Sequence, residues 1–378
     1  MGPLNGLRVV EFAGIGPGPF AAMLLADLGA EVVRLDRLQP RSGPLGSGRW
    51  NHMLRSRPSV GVDLKAGEGR EFALRLIAGA DILVEGFRPG VMERLGLGPE
   101  VALERNARLV YGRVTGFGQD GPLAQAAGHD INYIALSGVL GAMARSGERP
   151  LFPLNLVGDF GGGGMLLAVG VLAATISARI SGRGQVVDAA MVDGAALLST
   201  FIHALRAGGF WEQPPGGNLL DSGAPFYEVY ETSDGRHMAV GAIEPQFYDE
   251  LLRLLEVDPA QAPQWDEHGW PALKARFAEI FRSRTQREWA ARFEGTDACV
   301  VAVLSLAEAP THPHNLARAT FIDVGGAVAP APAPRFHATP LAQPRSPQEP
   351  GSLAGEALES WGIDREELAR LRAAAVIV

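Results

Sequence analysis

The stretch Leu7-Arg8-Val9-Val10-Glu11-Phe12-Ala13-Gly14-Ile15-Gly16-Pro17-Gly18-Pro19 decides how this chain folds. A short apolar run ends in a Gly/Pro turn, and Phe20 to Leu28 then places apolar residues at helical spacing. The same alternation continues outward. Strands are predicted at Glu31–Leu35, Val60–Leu64, Asp81–Gly86 and Leu109–Thr115, with a helix over Arg70–Ile77. Strands alternating with helices imply βαβ units around a largely parallel sheet. The expected fold class is α/β, with a Rossmann-like large domain.

After Gly128 the pattern turns helical, at Ile131–Ala144, Met165–Ile180 and Met191–Arg206, with a strand at Gln185–Asp188. Gly208–Ala224, rich in Gly, Pro and Asn, reads as a linker. Tyr227–Thr232 and His237–Gly241 flank Ser233-Asp234-Gly235-Arg236, a hairpin by its Asp-Gly step. Helices at Gln246–Leu255, Trp270–Phe281 and Gln286–Phe293 and a strand at Cys299–Val303 complete a smaller α+β domain. Ala329–Pro347 is an extended connection, and Glu356–Ala374 is a last amphipathic helix. The division expected is a large domain over 1–207, a linker over 208–225, a small domain over 226–308, and 309–378 returning to the large domain.

A chain of 378 residues exceeds one small core, so one large or two moderate domains follow. Residues 1–120 hold 15 basic and 13 acidic side chains against 19 and 29 in the remainder, which favours an anionic ligand on the N-terminal part. The same distribution argues against non-specific nucleic-acid binding, which needs a strong basic patch. The single Cys299 excludes an internal disulfide framework, so a reducing, cytoplasmic compartment is the expectation. No secretory leader is read in Met1–Glu11. Gly161–Ala178 is apolar enough to span a bilayer, but its five glycines and lack of flanking aromatic anchors read as a buried helix rather than membrane insertion.

The Gly14–Pro19 turn imitates a dinucleotide fingerprint, with Asp36 ending the next strand. It fails in detail: the third glycine position falls on Pro19, and Pro17 and Pro19 remove backbone donors that a pyrophosphate would use. Arg37, Lys65 and Arg88 fall at the ends of predicted strands, with Arg94 about a turn later. Open α/β sheets bind ligands at those ends, and arginines suit phosphates. His312-Pro313-His314 has no companions at ligand spacing, and no metal site is read. Asp188 and Asp193 read as structural, and Cys299 has no activating neighbour in sequence.

Gly128-His129-Asp130-Ile131-Asn132-Tyr133 and Asn155-Leu156-Val157-Gly158-Asp159-Phe160 bring an imidazole, a carboxylate and a glycine run together in sequence. Gly241-Ala242-Ile243-Glu244-Pro245-Gln246-Phe247-Tyr248 adds a second acid. Asp159 also reads as a cap for the helix behind Gly161–Gly164. Proton abstraction beside a carbonyl needs a positioned base, and reprotonation on the opposite face needs a positioned acid.

These segments resemble α-methylacyl-CoA racemases, a branch of the family III (CaiB/BaiF) CoA-transferases. The likeness runs from Gly6-Leu7-Arg8-Val9-Val10-Glu11 to the Pro-rich stretch before the last helix. It implies catalysis by His129 with Glu244 on one side of an acyl-CoA and Asp159 on the other, through an enolate. It implies CoA contacts at Ile15, Arg37, Leu64, Lys65, Gly86, Arg88, Arg94 and Tyr133, and no cofactor beyond the CoA of the substrate. It further implies an interlocked homodimer. Met143, Met165, Met191 and Met238 are candidates for an adaptable acyl-chain surface or for ordinary core. Two other functions stay open: CoA transfer between carboxylic acids through an Asp159 anhydride, and a non-catalytic CoA- or nucleotide-binding protein. His129, and a Glu244 segment that is not a glycine-run loop, favour racemisation over transfer.

Overall fold

The computed structural model describes residues 2–39, 50–349, 351 and 356–378. The chain forms two compact units. The first comprises Met1–Ser137, Pro153–Leu198 and Leu316–Val378, and the second comprises Gly138–Phe152 and Ser199–Asn315. The longer segment of the second unit starts at Ser199 and includes Gly208–Ala224.

The first unit is built on six parallel strands: β1 (Arg8–Phe12), β2 (Glu31–Asp36), β3 (Ser59–Gly61), β4 (Ile82–Glu85), β5 (Val110–Thr115) and β6 (Gln185–Ala190). Their order is β3-β2-β1-β4-β5-β6, that of the dinucleotide-binding fold, with the topological switch between β1 and β4. Alternate strand residues enter opposite cores. Val10, Val33, Leu83 and Tyr111 pack on one face, and Val9, Val32, Ile82 and Val110 on the other. Burial on both faces explains why these strands read as continuous apolar runs.

The C-terminal segment closes the first core. Trp361, Leu368, Leu371 and Ile377 pack with Val10 and Phe72, and Ile377 bridges to Val62 beside β3. The strand predicted over Val60–Leu64 is observed as the three residues Ser59–Gly61. Phe321–Asp323 (β10) and Val328–Pro330 (β11) form an antiparallel hairpin that the sequence reading did not place; only Ala329 and Pro330 of it fall in the extended connection expected over Ala329–Pro347.

Three predicted helices are interrupted. Ile131–Ala144 resolves into Asp130–Leu136 and Val139–Ala142 because Gly138 takes φ +85°. The last helix breaks into Glu356–Glu359 and Arg365–Ala373, with Gly362 at φ +76° between them. Met191–Arg206 divides at Ser199 into Met191–Leu198 and Thr200–Ala207. A left-handed glycine ends a helix at low steric cost.

In the second unit, β7 (Tyr227–Glu231), β8 (His237–Gly241) and β9 (Val300–Ala302) form an antiparallel sheet in the order β7-β8-β9. Its core is aromatic, with Tyr230 stacked on Phe281 at 4.9 Å and Trp289 5.1 Å from Phe281. The Thr285/Glu288 capping box starts the helix Gln286–Phe293.

Candidate active site

The switch point gathers chain turns at the C-terminal edge of the sheet. Ile15 is exposed in the turn after β1, Arg37 follows β2, and Leu64 and Lys65 follow β3. Gly86 and Arg88 follow β4, and Arg94 ends the short helix Val91–Arg94. Arg37, Lys65, Arg88 and Arg94 are all exposed. The edge therefore presents four cations where an open α/β sheet takes its ligand.

Asp159 stands at the same edge. The chain is helical from Leu156, earlier than Met165, and Leu156–Met165 winds as a π-helix before the regular helix Leu166–Ser181. Wide π-turns inside helices recur at functional sites. Asp159 is thus in the first turn rather than at a cap. Its carboxylate faces the β1 turn: a β-carbon at Gly16, which takes φ +73°, would stand 3.3 Å from Oδ2. The glycine run serves close packing. A β-carbon at Gly162 would lie 2.6 Å from the Ala195 nitrogen, and one at Gly163 would lie 2.9 Å from Pro17. Side chains there would push the Asp159 turn off helices Met191–Leu198 and Pro17–Asp27.

Burial raises the Asp159 pKa above the ordinary aspartate value. The Asn155 amide opposes this by donating to Oδ2 at 3.0 Å, the Asp130 charge adds to the rise, and His129 lowers it. A half-buried carboxylate with a raised pKa holds its proton more firmly than an ordinary aspartate, a direction that suits general acid/base work.

His129 is exposed just before the helix Asp130–Leu136, and its backbone N–H donates to Asn132 Oδ1 at 3.0 Å. Tyr133 is buried, its hydroxyl donating to the Gly128 carbonyl and its ring 5.0 Å from Phe117. In this structure Tyr133 fastens the turn that carries His129. Sequence reasoning passed over Asp130. It is 4% exposed, its Oδ2 accepts the Asp159 N–H at 2.7 Å, and its Oδ1 has no partner among the described residues. The one available signal was an Asp opening a helix beside a candidate histidine.

Glu244 lies in the second unit, exposed, directly before the helix Pro245–Leu255. Cys299 is exposed at φ +52°. Its thiol is pushed up by partial burial and then by the Glu244 and Asp297 charges, the opposite of nucleophile activation. His312 Nδ1 accepts the His314 N–H at 3.3 Å, a local turn. Among the described residues no group of three His, Cys, Asp or Glu stands ready for a metal.

The profile of CoA-transferase family III matches residues 4–372. The chain belongs to this family. Relatives include the alpha-methylacyl-CoA racemase of Mus musculus, 48% identical over 99% of this chain and 97% of that protein. The enzyme of the same name from Homo sapiens is 46% identical over the same shares. A CAIB/BAIF family protein from Brucella suis shares the fold, with a TM-score of 0.79 and 24% identity over 95% of this chain and 99% of its own.

Proposed function

We propose that this family III member is a 2-methylacyl-CoA racemase that inverts Cα by 1,1-proton transfer. The carrying observation is the Asp159 turn: a carboxylate with a raised pKa, packed against the switch-point loop and hydrogen-bonded through its backbone to the residue beside His129. The near full-length likeness to enzymes named alpha-methylacyl-CoA racemase supports the substrate class.

A thioester Cα proton is removed by Asp159 on one face and returned by His129 on the other, with the roles exchanged in the reverse direction. Glu244 is the third proton-handling group in this reading. The electron pair left at Cα delocalises onto the thioester oxygen, so the enolate needs fixed donors. The Asp159 amide is not one of them, because it is committed to Asp130. The Leu156 amide donates to the Pro153 carbonyl at 3.4 Å, which leaves the Val157 and Gly158 amides of that first turn as the candidates there. Arg37, Lys65, Arg88 and Arg94 take the CoA phosphates in this reading.

The first unit also exposes an apolar stripe on one helix, Met165, Val169, Ile176 and Ile180. The stretch Leu156–Ser181 has the length and apolar composition of a membrane span. We assign the stripe to a second copy of this chain, because its opposite face is buried in the core through Leu167, Val171, Ala174 and Ala178. Equilibrium sedimentation at micromolar concentration without detergent tests this: a dimer supports it, and a monomer that binds vesicles contradicts it.

The proton-transfer assignment is tested by His129→Ala and Asp159→Ala. Each abolishes inversion while CoA-thioester binding is retained. Inversion near the wild-type rate in either variant overturns the assignment. Loss in Asp159→Ala alone, with CoA exchange between carboxylic acids in the wild type, favours the transferase alternative.

A further inference from the structure

Arg113, on β5, is 6% exposed and carries no role in the chemistry described above. It lies in register with Glu85 at the end of β4. Its Nε donates to Glu85 Oε1 at 2.8 Å, and its Nη1 and Nη2 donate to Glu93 at 2.8 and 3.3 Å. Glu85 Oε2 accepts the Phe87 N–H at 2.7 Å, so the buried pair fixes the first step of the turn holding Gly86 and Arg88. Glu93 directly precedes Arg94, whose guanidinium lies over Gly90: a β-carbon there would be 3.1 Å from Nη1. One guanidinium therefore ties down both ends of the Glu85–Arg94 segment.

The same arrangement has an electrostatic consequence. Arg113 occupies both acids of this segment, and among the described residues neither Arg88 nor Arg94 forms an ion pair. With Arg113 gone, Glu93 and Glu85 would be left to pair with Arg88 or Arg94 and compete with a phosphate. A planar guanidinium engaging two carboxylates is a geometry that lysine cannot copy.

We propose that Arg113 is a positioning residue for the nucleotide end of acyl-CoA. It sequesters Glu85 and Glu93, holds the Gly86–Arg94 turn, and so keeps Arg88 and Arg94 free for phosphate. This rests on the CoA-thioester reading of the site.

The test compares the full-length chain with Arg113→Met, Arg113→Lys, Arg88→Met and the triple variant Arg113→Met/Glu85→Gln/Glu93→Gln. Two substrates are used: a 2-methylacyl-CoA and the matching 2-methylacyl-pantetheine thioester, which lacks the nucleotide and its phosphates. Arg113→Met is expected to raise KM for the CoA thioester by about tenfold or more, the scale of one lost charge-assisted contact. At saturation kcat changes far less than KM, and the pantetheine KM stays within about twofold, as expected for lost uniform binding. Arg113→Lys recovers part of the loss. The triple variant recovers more, and it remains informative if Arg113→Met folds poorly, because no buried carboxylate is left unpaired. Equal rises in KM for both substrates, or a triple variant as weak as Arg113→Met, overturn the positioning role. An Arg88→Met variant with unchanged KM for the CoA thioester overturns the underlying CoA reading instead.

Discussion

Asp130 Oδ2 accepts the backbone N–H of Asp159 at 2.7 Å across 29 residues of sequence. The contact joins the helix that begins beside His129 to the π-turn that carries Asp159. It also sets a buried carboxylate next to one that handles protons in the proposed reaction, and the two charges raise the cost of ionising Asp159. One hydrogen bond thus links the segments that carry the two proposed acid/base groups, and the Asp130 charge raises the pKa of one of them.

Asp130→Asn keeps an acceptor for the Asp159 amide and removes the charge. The acidic limb of the kcat/KM–pH profile, which reports Asp159 as a base, is expected to move to lower pH. Asp130→Ala also loses the hydrogen bond and is expected to lower kcat by about tenfold or more through misplacement of Asp159. pH–rate profiles of both variants check this, and an acidic limb unmoved in Asp130→Asn contradicts the coupling.

Asn155→Ala has the opposite sign. Its amide donates to Asp159 Oδ2 and favours the ionised form. Removing it raises the Asp159 pKa further, so the acidic limb shifts to higher pH. The same profiles measure it.

Gly162→Ala is expected to destabilise the first unit by about 1–3 kcal/mol or more, because its β-carbon would meet the Ala195 backbone at 2.6 Å. Gly67→Ala, whose β-carbon meets nothing within 4 Å, is expected to be neutral or to stabilise by about 0.5–1 kcal/mol. Urea unfolding of the two variants gives the comparison.

Glu11 is fully buried, and burial pushes its pKa from 4.5 up to about 7 even though Arg57 Nη1 stands 3.0 Å from Oε2. Neither carboxylate oxygen has a hydrogen-bond partner among the described residues, so desolvation outweighs the attraction. The folded state therefore binds a proton more tightly than the unfolded one. The Glu11 contribution to stability is lost as pH rises from about 4.5 through about 7, then levels off. The difference in Tm between wild type and Glu11→Gln, followed across that window, should decline in the wild type's disfavour with rising pH.

The sheet was legible in the sequence because its strands are buried on both faces, which writes continuous apolar runs bounded by Gly/Pro turns. Val9, Val33, Leu83 and Val110 each fall in a predicted strand and each is fully buried. The helix breaks at Gly138 and Gly362 were missed because a lone glycine inside a periodic pattern gives no warning of a left-handed conformation. The β10–β11 hairpin went unread because each of its strands is three residues long, too short to show alternation. At the site, the cationic edge followed from placing arginines after strands, whereas Asp130 and Arg113 act through contacts 29 and 28 residues away. Separations of that kind leave no periodic trace. The π-turn likewise could not be read from Gly161–Gly164, since a glycine run specifies close approach without specifying to what.

The most direct measurement is incubation with a single-enantiomer 2-methylacyl-CoA in deuterated water, following α-deuterium and configuration together. The account predicts label uptake at Cα with loss of optical purity, and loss of both in Asp159→Ala. Retained configuration with no deuterium at Cα, across several acyl chains, would contradict it.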